Sequence, residues 1–111
     1  MNAQTTTAAV TPGARIAVGD LVIDRERYLV TIGERVADLT YMEFEALYLI
    51  AAEDGRVASY GALAAGLWED AGDDHRRRLA VLISRIRSKL GHGADYLQTV
   101  RQVGYRLLAH E

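Results

Sequence analysis

The sequence predicts an α+β domain with an N-terminal antiparallel sheet, a three-helix core and a C-terminal β-hairpin. Two changes of pattern indicate this order. Short β-rich segments alternate with turns up to residue 39, and apolar residues at helical spacing replace them from Thr40 onward. Further along, residues 96–100 and 105–108 are β-rich and flank a turn, which predicts the hairpin.

Length and composition are those of one globular domain. The chain has 111 residues, of which 50% are hydrophobic, and this is enough to bury a core without metal or disulfide support. We expect residues 1–13, which are rich in Thr and Ala and lack periodicity, to form a flexible tail. Residues 14–111 are expected to form the domain.

The N-terminal sheet is predicted from apolar segments at residues 16–18, 21–23, 28–32 and 36–39. These segments are rich in β-branched residues, and Gly, Asp and Glu separate them. Because the connections are short, an antiparallel meander is expected.

Capping residues mark the first two helices. Thr40 and Glu43 fit a capping box, in which each side chain satisfies a backbone N–H at the start of the helix. Gly55 is the expected end of this helix, and Ser59 is expected to cap the second, shorter helix.

The third helix is predicted over residues 74–90, with Gly91 just past its end. Asp73 and Asp74 place negative charge at its N-terminus, where helix capping and the helix dipole account for them. Residues 92–93 are predicted to be a linker to the hairpin.

Charge is strongly segregated along the chain. The net charge is −2, yet residues 76–106 carry +7 and the remainder carries −9. A chain that concentrates its cations in one helix and the following hairpin is expected to contact a polyanion, and nucleic acid is the first candidate. The basic residues of this segment are Arg76, Arg77, Arg78, Arg85, Arg87, Lys89, Arg101 and Arg106, and its one acid is Asp95.

The third helix separates apolar from basic residues on its surface. On a helical projection the apolar residues cluster within about 60° of Leu79, and the cations lie nearly opposite, around Val81. No acid lies between residues 76 and 90, so intrahelical ion pairs do not account for this face. The pattern favours a helix that reads the DNA major groove, where Val81 would meet a thymine methyl. The alternative is a solvated face without a partner.

Two arginines lie on the flank of this face, and one lies on the hairpin. Arg76 and Arg87 are the flanking residues, and for Arg87 we consider both a pair with a carboxylate of a neighbouring helix and a phosphate contact. Arg101 lies at the predicted hairpin tip, where it is either part of a solvated turn or enters the minor groove.

Four segments in order resemble the OmpR/PhoB-type winged-helix family, the DNA-binding effector domain of response regulators. They are LTYMEF at residues 39–44, Leu63 with Leu67 and Trp68, ISRIRSKL at residues 83–90, and TVRQVGYR at residues 99–106. The resemblance covers residues 21–108. It implies a winged helix-turn-helix fold, with the third helix in the major groove and the hairpin as a wing in the minor groove. We expect no cofactor.

The resemblance and the projection together give the expected site residues. The expected DNA-binding residues are Arg76, Arg77, Arg78, Val81, Leu82, Arg85, Lys89, Thr99, Arg101 and Tyr105. The resemblance further implies that the loop after the second helix contacts RNA polymerase, with the sigma subunit as the expected partner, and that two copies bind tandem half-sites. The loop residues are Trp68, Glu69, Asp70, Asp73 and Asp74.

Three features depart from the family pattern. Gln102 stands where the family usually has Gly in the wing, which predicts a differently shaped tip. Leu82 is apolar where the family often has a polar residue. The 111 residues leave no room for a receiver domain, so the chain is either an excised effector domain or a stand-alone regulator, and the tail favours the second.

Other classes of function fit less well. The chain has no cysteine, and its three histidines lie in no ligand-spaced or nucleophile motif, so neither an enzyme nor a metal site is expected. No apolar segment approaches the roughly 20 residues needed to cross a membrane, and we expect a cytoplasmic, nucleoid-associated protein. The main alternative is a winged helix that binds RNA polymerase or a basic protein. RNA binding is disfavoured because an A-form major groove is too narrow for a helix.

Overall fold

The computed structural model describes residues 14–68 and 74–109, and the predicted α+β order is confirmed there. The chain begins with a four-stranded antiparallel sheet in the order β1-β2-β3-β4. Its strands are β1 (Arg15–Val18), β2 (Leu21–Asp24), β3 (Leu29–Ile32) and β4 (Arg35–Ala37).

Three helices and a second sheet follow. The helices are α1 (Tyr41–Ala51), α2 (Tyr60–Leu67) and α3 (His75–Leu90). A 3₁₀ segment (Gly91–Tyr96) leads from α3 into the hairpin strands β6 (Leu97–Val100) and β7 (Gly104–Leu107). The short strand β5 (Ala58–Ser59) pairs with β7, so this sheet has the order β5-β7-β6.

Capping residues mark the starts of α1 and α2, as predicted. The Thr40–Glu43 capping box is confirmed, and the Ser59 hydroxyl accepts a hydrogen bond from the backbone N–H of Ala62 at the start of α2. Gly55 was expected to end α1, but the helix ends earlier, at Ala51, and a turn leads to Gly55.

Two predictions near α3 are wrong. Asp74 occupies the N-cap position but makes no capping hydrogen bond with its side chain. Residues 92–93 are part of the 3₁₀ segment rather than a linker, and His92 lies 2.7 Å from the Asp20 carboxylate in the β1–β2 turn. The same carboxylate accepts a hydrogen bond from the Tyr96 hydroxyl, so the segment is held against the N-terminal sheet. The hydrogen bonds from Tyr96 and His92 lower the pKa of Asp20.

One hydrophobic core joins the two sheets and the three helices. The inner face of the N-terminal sheet contributes Leu21, Ile23, Val30 and Ile32, and all four are buried. The buried stripe of α3 lies in the same cluster and consists of Leu79, Leu82, Ile83, Ile86 and Leu90. This burial fixes the orientation of α3 about its own axis, and it leaves the opposite face of the helix to solvent.

The hairpin lies very close to the start of α2. Gly104 pairs with Ser59, and a side chain at Gly104 would collide with the backbone carbonyl of Ala58. The backbone N–H of Tyr60 also donates a hydrogen bond to the carbonyl oxygen of Val103. The absence of a side chain at Gly104 therefore permits the contact that anchors the hairpin to the helices.

An ion pair links α1 to α3. The Lys89 ammonium donates to Glu43 Oε1 at 2.7 Å, and the same oxygen accepts the backbone N–H of Thr40. The side chain of Glu43 is only 3% exposed. Burial alone raises the pKa of Glu43, but the hydrogen bond from Lys89 and the bonds from Thr40 outweigh burial, so the pKa lies below its ordinary value.

We expect Lys89→Met to lower the free energy of unfolding by about 1–3 kcal/mol near pH 7, because it leaves a buried carboxylate without its cation. Since the pKa of Glu43 is lowered in the folded protein, this stabilisation is complete above the unfolded pKa and disappears as the pH falls through the folded value. Urea unfolding of both proteins at neutral pH and at a series of progressively more acidic pH values tests this. The two stabilities should converge in acid, and a constant difference would contradict the ion-pair explanation.

Candidate nucleic-acid interface

The exposed face of α3 lies opposite its buried stripe. Arg77, Val81 and Arg85 follow one another at intervals of four residues, and all three are exposed. Val81 has 46% of its surface exposed, as the projection predicted for the centre of this face. Residues at this spacing lie on one side of a helix, so the two guanidinium groups flank an apolar centre.

Aromatic rings hold two further arginines of α3. The guanidinium carbon of Arg78 lies 4.1 Å from the ring centre of Trp68, at the end of α2. The guanidinium carbon of Arg76 lies 4.5 Å from the ring centre of Tyr60. Such cation–π contacts restrict the side chain while leaving the edge of the guanidinium able to donate hydrogen bonds.

The remaining cations of the exposed surface differ in how firmly they are held. Arg77 and Asp74 are both largely exposed and lie 3.7 Å apart, so this ion pair contributes little. Within the described parts of the chain, residues 14–68 and 74–109, the side chains of Arg85 and Arg101 have no hydrogen-bond or ion-pair partner. Nothing in those residues therefore competes with a ligand for the donors of these two guanidinium groups.

Two expected DNA-binding side chains are buried, which corrects the predicted set. Leu82 is 9% exposed and belongs to the hydrophobic core. Tyr105 is 5% exposed, its ring packs edge-on against Tyr60, and burial raises the pKa of its hydroxyl. The resemblance places Leu82 at the DNA, whereas the helical projection places it at the margin of the apolar stripe. The structure agrees with the projection.

Lys89 and Arg87 bind other parts of the protein. The Lys89 ammonium is bound by Glu43, an acid of α1, and the sequence of α3 alone does not reveal this partner. Arg87 binds the carbonyl oxygen of Leu97 and the hydroxyl of Thr99 on β6. The expected carboxylate partner of Arg87 is thus wrong. Its position on the flank of α3, beside the buried stripe, is the one sequence signal for a structural role.

The hairpin presents Arg101 at a tight turn. The backbone N–H of Val103 donates to the carbonyl oxygen of Val100, and Gln102 between them has φ = 68°. This is the left-handed conformation that Gly adopts most readily, so Gln102 takes the shape that was expected to require Gly. Arg106 is paired across the hairpin with the Gln98 side chain, while Arg101 and Thr99 are exposed.

The predicted polymerase-contact loop is only partly described. Glu69, Asp70 and Asp73 lie outside the described residues. Trp68 is half-buried against the core and carries Arg78 on its ring, and the side chain of Asp74 is 64% exposed. The loop therefore begins and ends beside the basic face of α3.

Within residues 14–68 and 74–109, no three His, Asp or Glu side chains are grouped closely enough to hold a metal ion. None of the helices in those residues has the length and apolar character needed to cross a membrane.

Comparison with known proteins adds relatives in sequence. A family described as "Transcriptional regulatory protein, C terminal" matches residues 33–107. The chain is 34% identical over 98 residues to the alkaline phosphatase synthesis transcriptional regulatory protein PhoP of Bacillus subtilis. The aligned region covers 84% of this chain and 40% of PhoP. It is 31% identical over 105 residues to the transcriptional regulatory protein RstA of Escherichia coli, covering 92% of this chain and 44% of RstA. The chain therefore spans less than half the length of these relatives.

Comparison of structures gives the same assignment. The DNA-binding domain of Klebsiella pneumoniae RstA, solved in complex with the RstA box, has a TM-score of 0.76 and 31% identity, and the match covers 86% of this chain and 98% of that domain. The DNA-binding domain of CpxR from E. coli has a TM-score of 0.75 and 26% identity, with 87% and 98% covered. The chain belongs to the OmpR/PhoB-type winged-helix family, the C-terminal DNA-binding domains of transcriptional regulatory proteins.

Proposed function

We propose that this chain regulates transcription by binding a specific duplex DNA sequence, with α3 in the major groove and the β6–β7 wing in the minor groove. The exposed face of Arg77, Val81 and Arg85, directly opposite the buried stripe of α3, carries this proposal. The protein would act in the cytoplasm, on the nucleoid.

The centre of α3 suits the reading of bases. An α-helix fits the major groove, and an arginine fork matches the two acceptors of guanine. Arg85 has no partner in the described residues that would have to be displaced, and Val81 offers the apolar contact that a thymine methyl accepts. We assign base reading to these two side chains.

The flanking arginines suit contacts to phosphate. Arg76 and Arg78 are held against Tyr60 and Trp68, so less side-chain freedom is lost when they bind than for an unrestrained arginine. Thr99 accepts a hydrogen bond from Arg87, and its own hydroxyl proton remains available to a phosphate oxygen. Phosphate contacts of this kind fix the position of the protein without reading sequence.

We expect Arg85→Ala to reduce the preference for the selected sequence over scrambled duplex, at a cost of about 1–3 kcal/mol. We assign Arg77 to phosphate as well, because it lies between Arg76 and Arg78, one turn before Val81. Arg77→Ala should therefore weaken binding to both sequences and reduce the slope of log affinity against log salt by about 1. The measurement is fluorescence titration of duplexes selected from a random pool, at several salt concentrations.

Arg15→Ala is the matched control, because Arg15 is an exposed arginine of β1 on the N-terminal sheet. If Arg85→Ala and Arg77→Ala both bind as the control does, the proposed face is wrong. If no sequence is enriched from the pool, the protein-interaction function gains support instead.

We also propose that two copies occupy tandem half-sites about one helical turn of DNA apart. The small size of one domain, whose α3 has 16 residues, supports this, since a single copy covers few base pairs. Footprinting of the selected site should show two protected segments at saturation. Protection of a single half-site at all protein concentrations would contradict tandem binding.

We further propose that the loop at residues 68–74 contacts the sigma subunit of RNA polymerase. The sequence places Glu69, Asp70, Asp73 and Asp74 there, a negative cluster that complements a basic surface on a partner. We expect the combined change Glu69→Gln, Asp70→Asn and Asp73→Asn to abolish sigma binding by the DNA-bound protein while its affinity for DNA is maintained.

Surface plasmon resonance on immobilised protein–DNA complex measures sigma binding directly. The matched control is Glu26→Gln with Glu34→Gln and Asp38→Asn, which also neutralises three exposed acids, all of them in or next to the N-terminal sheet. Equal sigma binding by the loop variant and the control would refute the contact.

A further inference from the structure

Arg87 connects α3 to the wing through three hydrogen bonds. Its Nε and Nη2 donate to the carbonyl oxygen of Leu97 at 3.0 and 2.7 Å, and Nη2 also donates to Thr99 Oγ1 at 3.0 Å. The guanidinium group therefore binds two alternate residues of β6, Leu97 and Thr99. A planar fork of this kind fixes direction as well as distance, which a single hydrogen bond does not.

The position of this contact is mechanically important for the hairpin. Strand β6 is an outer strand of its sheet, since the order is β5-β7-β6. Arg87 holds β6 at its beginning, and Arg101 lies at the turn just beyond the end of the same strand. The other strand, β7, is held by the pairing of Gly104 with Ser59 and by the hydrogen bond from Tyr60 to Val103, so Arg87 supplies the matching restraint on β6, the strand that leads to Arg101.

A second contact holds the other strand of the hairpin. The Tyr105 ring on β7 packs edge-on against Tyr60, and Arg76 of α3 lies over the face of Tyr60. The hairpin is thus joined to α3 by a polar contact through β6 and an aromatic contact through β7. The Arg87 contact joins α3 to the hairpin directly by hydrogen bonds, whereas the aromatic contact runs from Arg76 through the Tyr60 ring of α2 to Tyr105.

We infer that Arg87 is a positioning residue that holds the wing at the angle at which Arg85 and Arg101 enter adjacent grooves together. This inference rests on the proposed DNA-binding function. Once α3 is bound, a wing held at a fixed angle acts as a second, tethered binding group at high effective concentration. A wing whose outer strand β6 can shift loses part of that advantage because the position of Arg101 must then be fixed on binding.

A double-mutant cycle between Arg87 and Arg101 tests this inference. We expect Arg101→Ala to weaken binding on the order of tenfold in the wild-type protein. In an Arg87→Met background the same change should cost only about twofold, because the two residues act as one unit. Met keeps the length of the apolar stem and removes the fork.

Arg77→Ala is the matched control for the cycle, since Arg77 lies on the same helix and its ion-pair partner among the described residues is Asp74 rather than a residue of the wing. Its cost should be the same in both backgrounds. If the cost of Arg101→Ala is also the same in both, Arg87 does not position the wing. If Arg101→Ala and Arg77→Ala have no effect even in the wild-type protein, the proposed DNA-binding function itself fails, which is a different result.

Arg87→Lys separates positioning from a direct phosphate contact, and it remains informative if Arg87→Met does not fold. Lysine keeps the positive charge but cannot reproduce the fork to Leu97 and Thr99. We expect Arg87→Lys to leave Arg101→Ala with the same small cost as Arg87→Met does. Recovery of the full tenfold cost and of wild-type affinity by Arg87→Lys would overturn the inference in favour of a phosphate contact.

Discussion

Burial of one apolar stripe of α3 is the constraint on which the proposed interface depends. Leu79, Ile83, Ile86 and Leu90 are each at most 1% exposed, and they fix the rotation of the helix against the N-terminal sheet and the other helices. Burying each such side chain contributes about 1.5–3 kcal/mol, which is more than a surface charge contributes. The direction in which the exposed arginines point is therefore a consequence of the core, and the core does not depend on the arginines.

A count of cations overstates the number available to DNA. Lys89 is committed to Glu43, Arg87 to the wing and Arg106 to Gln98. These contacts hold α3 and the wing in place, whereas Arg85 and Arg101 have no side-chain partner among the described residues. The cations of the basic segment thus have two roles. Lys89, Arg87 and Arg106 stabilise α3 and the wing, and Arg85 and Arg101 extend from these elements toward solvent.

The sequence predicted most of the fold because its strongest signals are local. The capping box at Thr40 and Glu43, and the stripe opposite Val81, are set by the geometry of one helix, and both are found in the structure. Contacts between elements were harder to predict. Neither the Lys89–Glu43 pair nor the hydrogen bonds from Arg87 to β6 can be derived from periodicity. The helical period predicts the side of the helix on which a residue lies, but it does not predict which element packs against that side.

The wing tip shows how tertiary contacts can replace a local preference. Gln102 adopts φ = 68°, a conformation that costs a residue with a side chain roughly 1–2 kcal/mol relative to Gly. The turn is held on both sides, by the hydrogen bond from Val103 to Val100 and by the hydrogen bond from Tyr60 to Val103. These contacts impose the shape that Gly would adopt freely. Gln102 also places an amide beside Arg101. An amide can both donate hydrogen bonds to the base edges of a minor groove and accept hydrogen bonds from them, and Gly has no side chain that could do either.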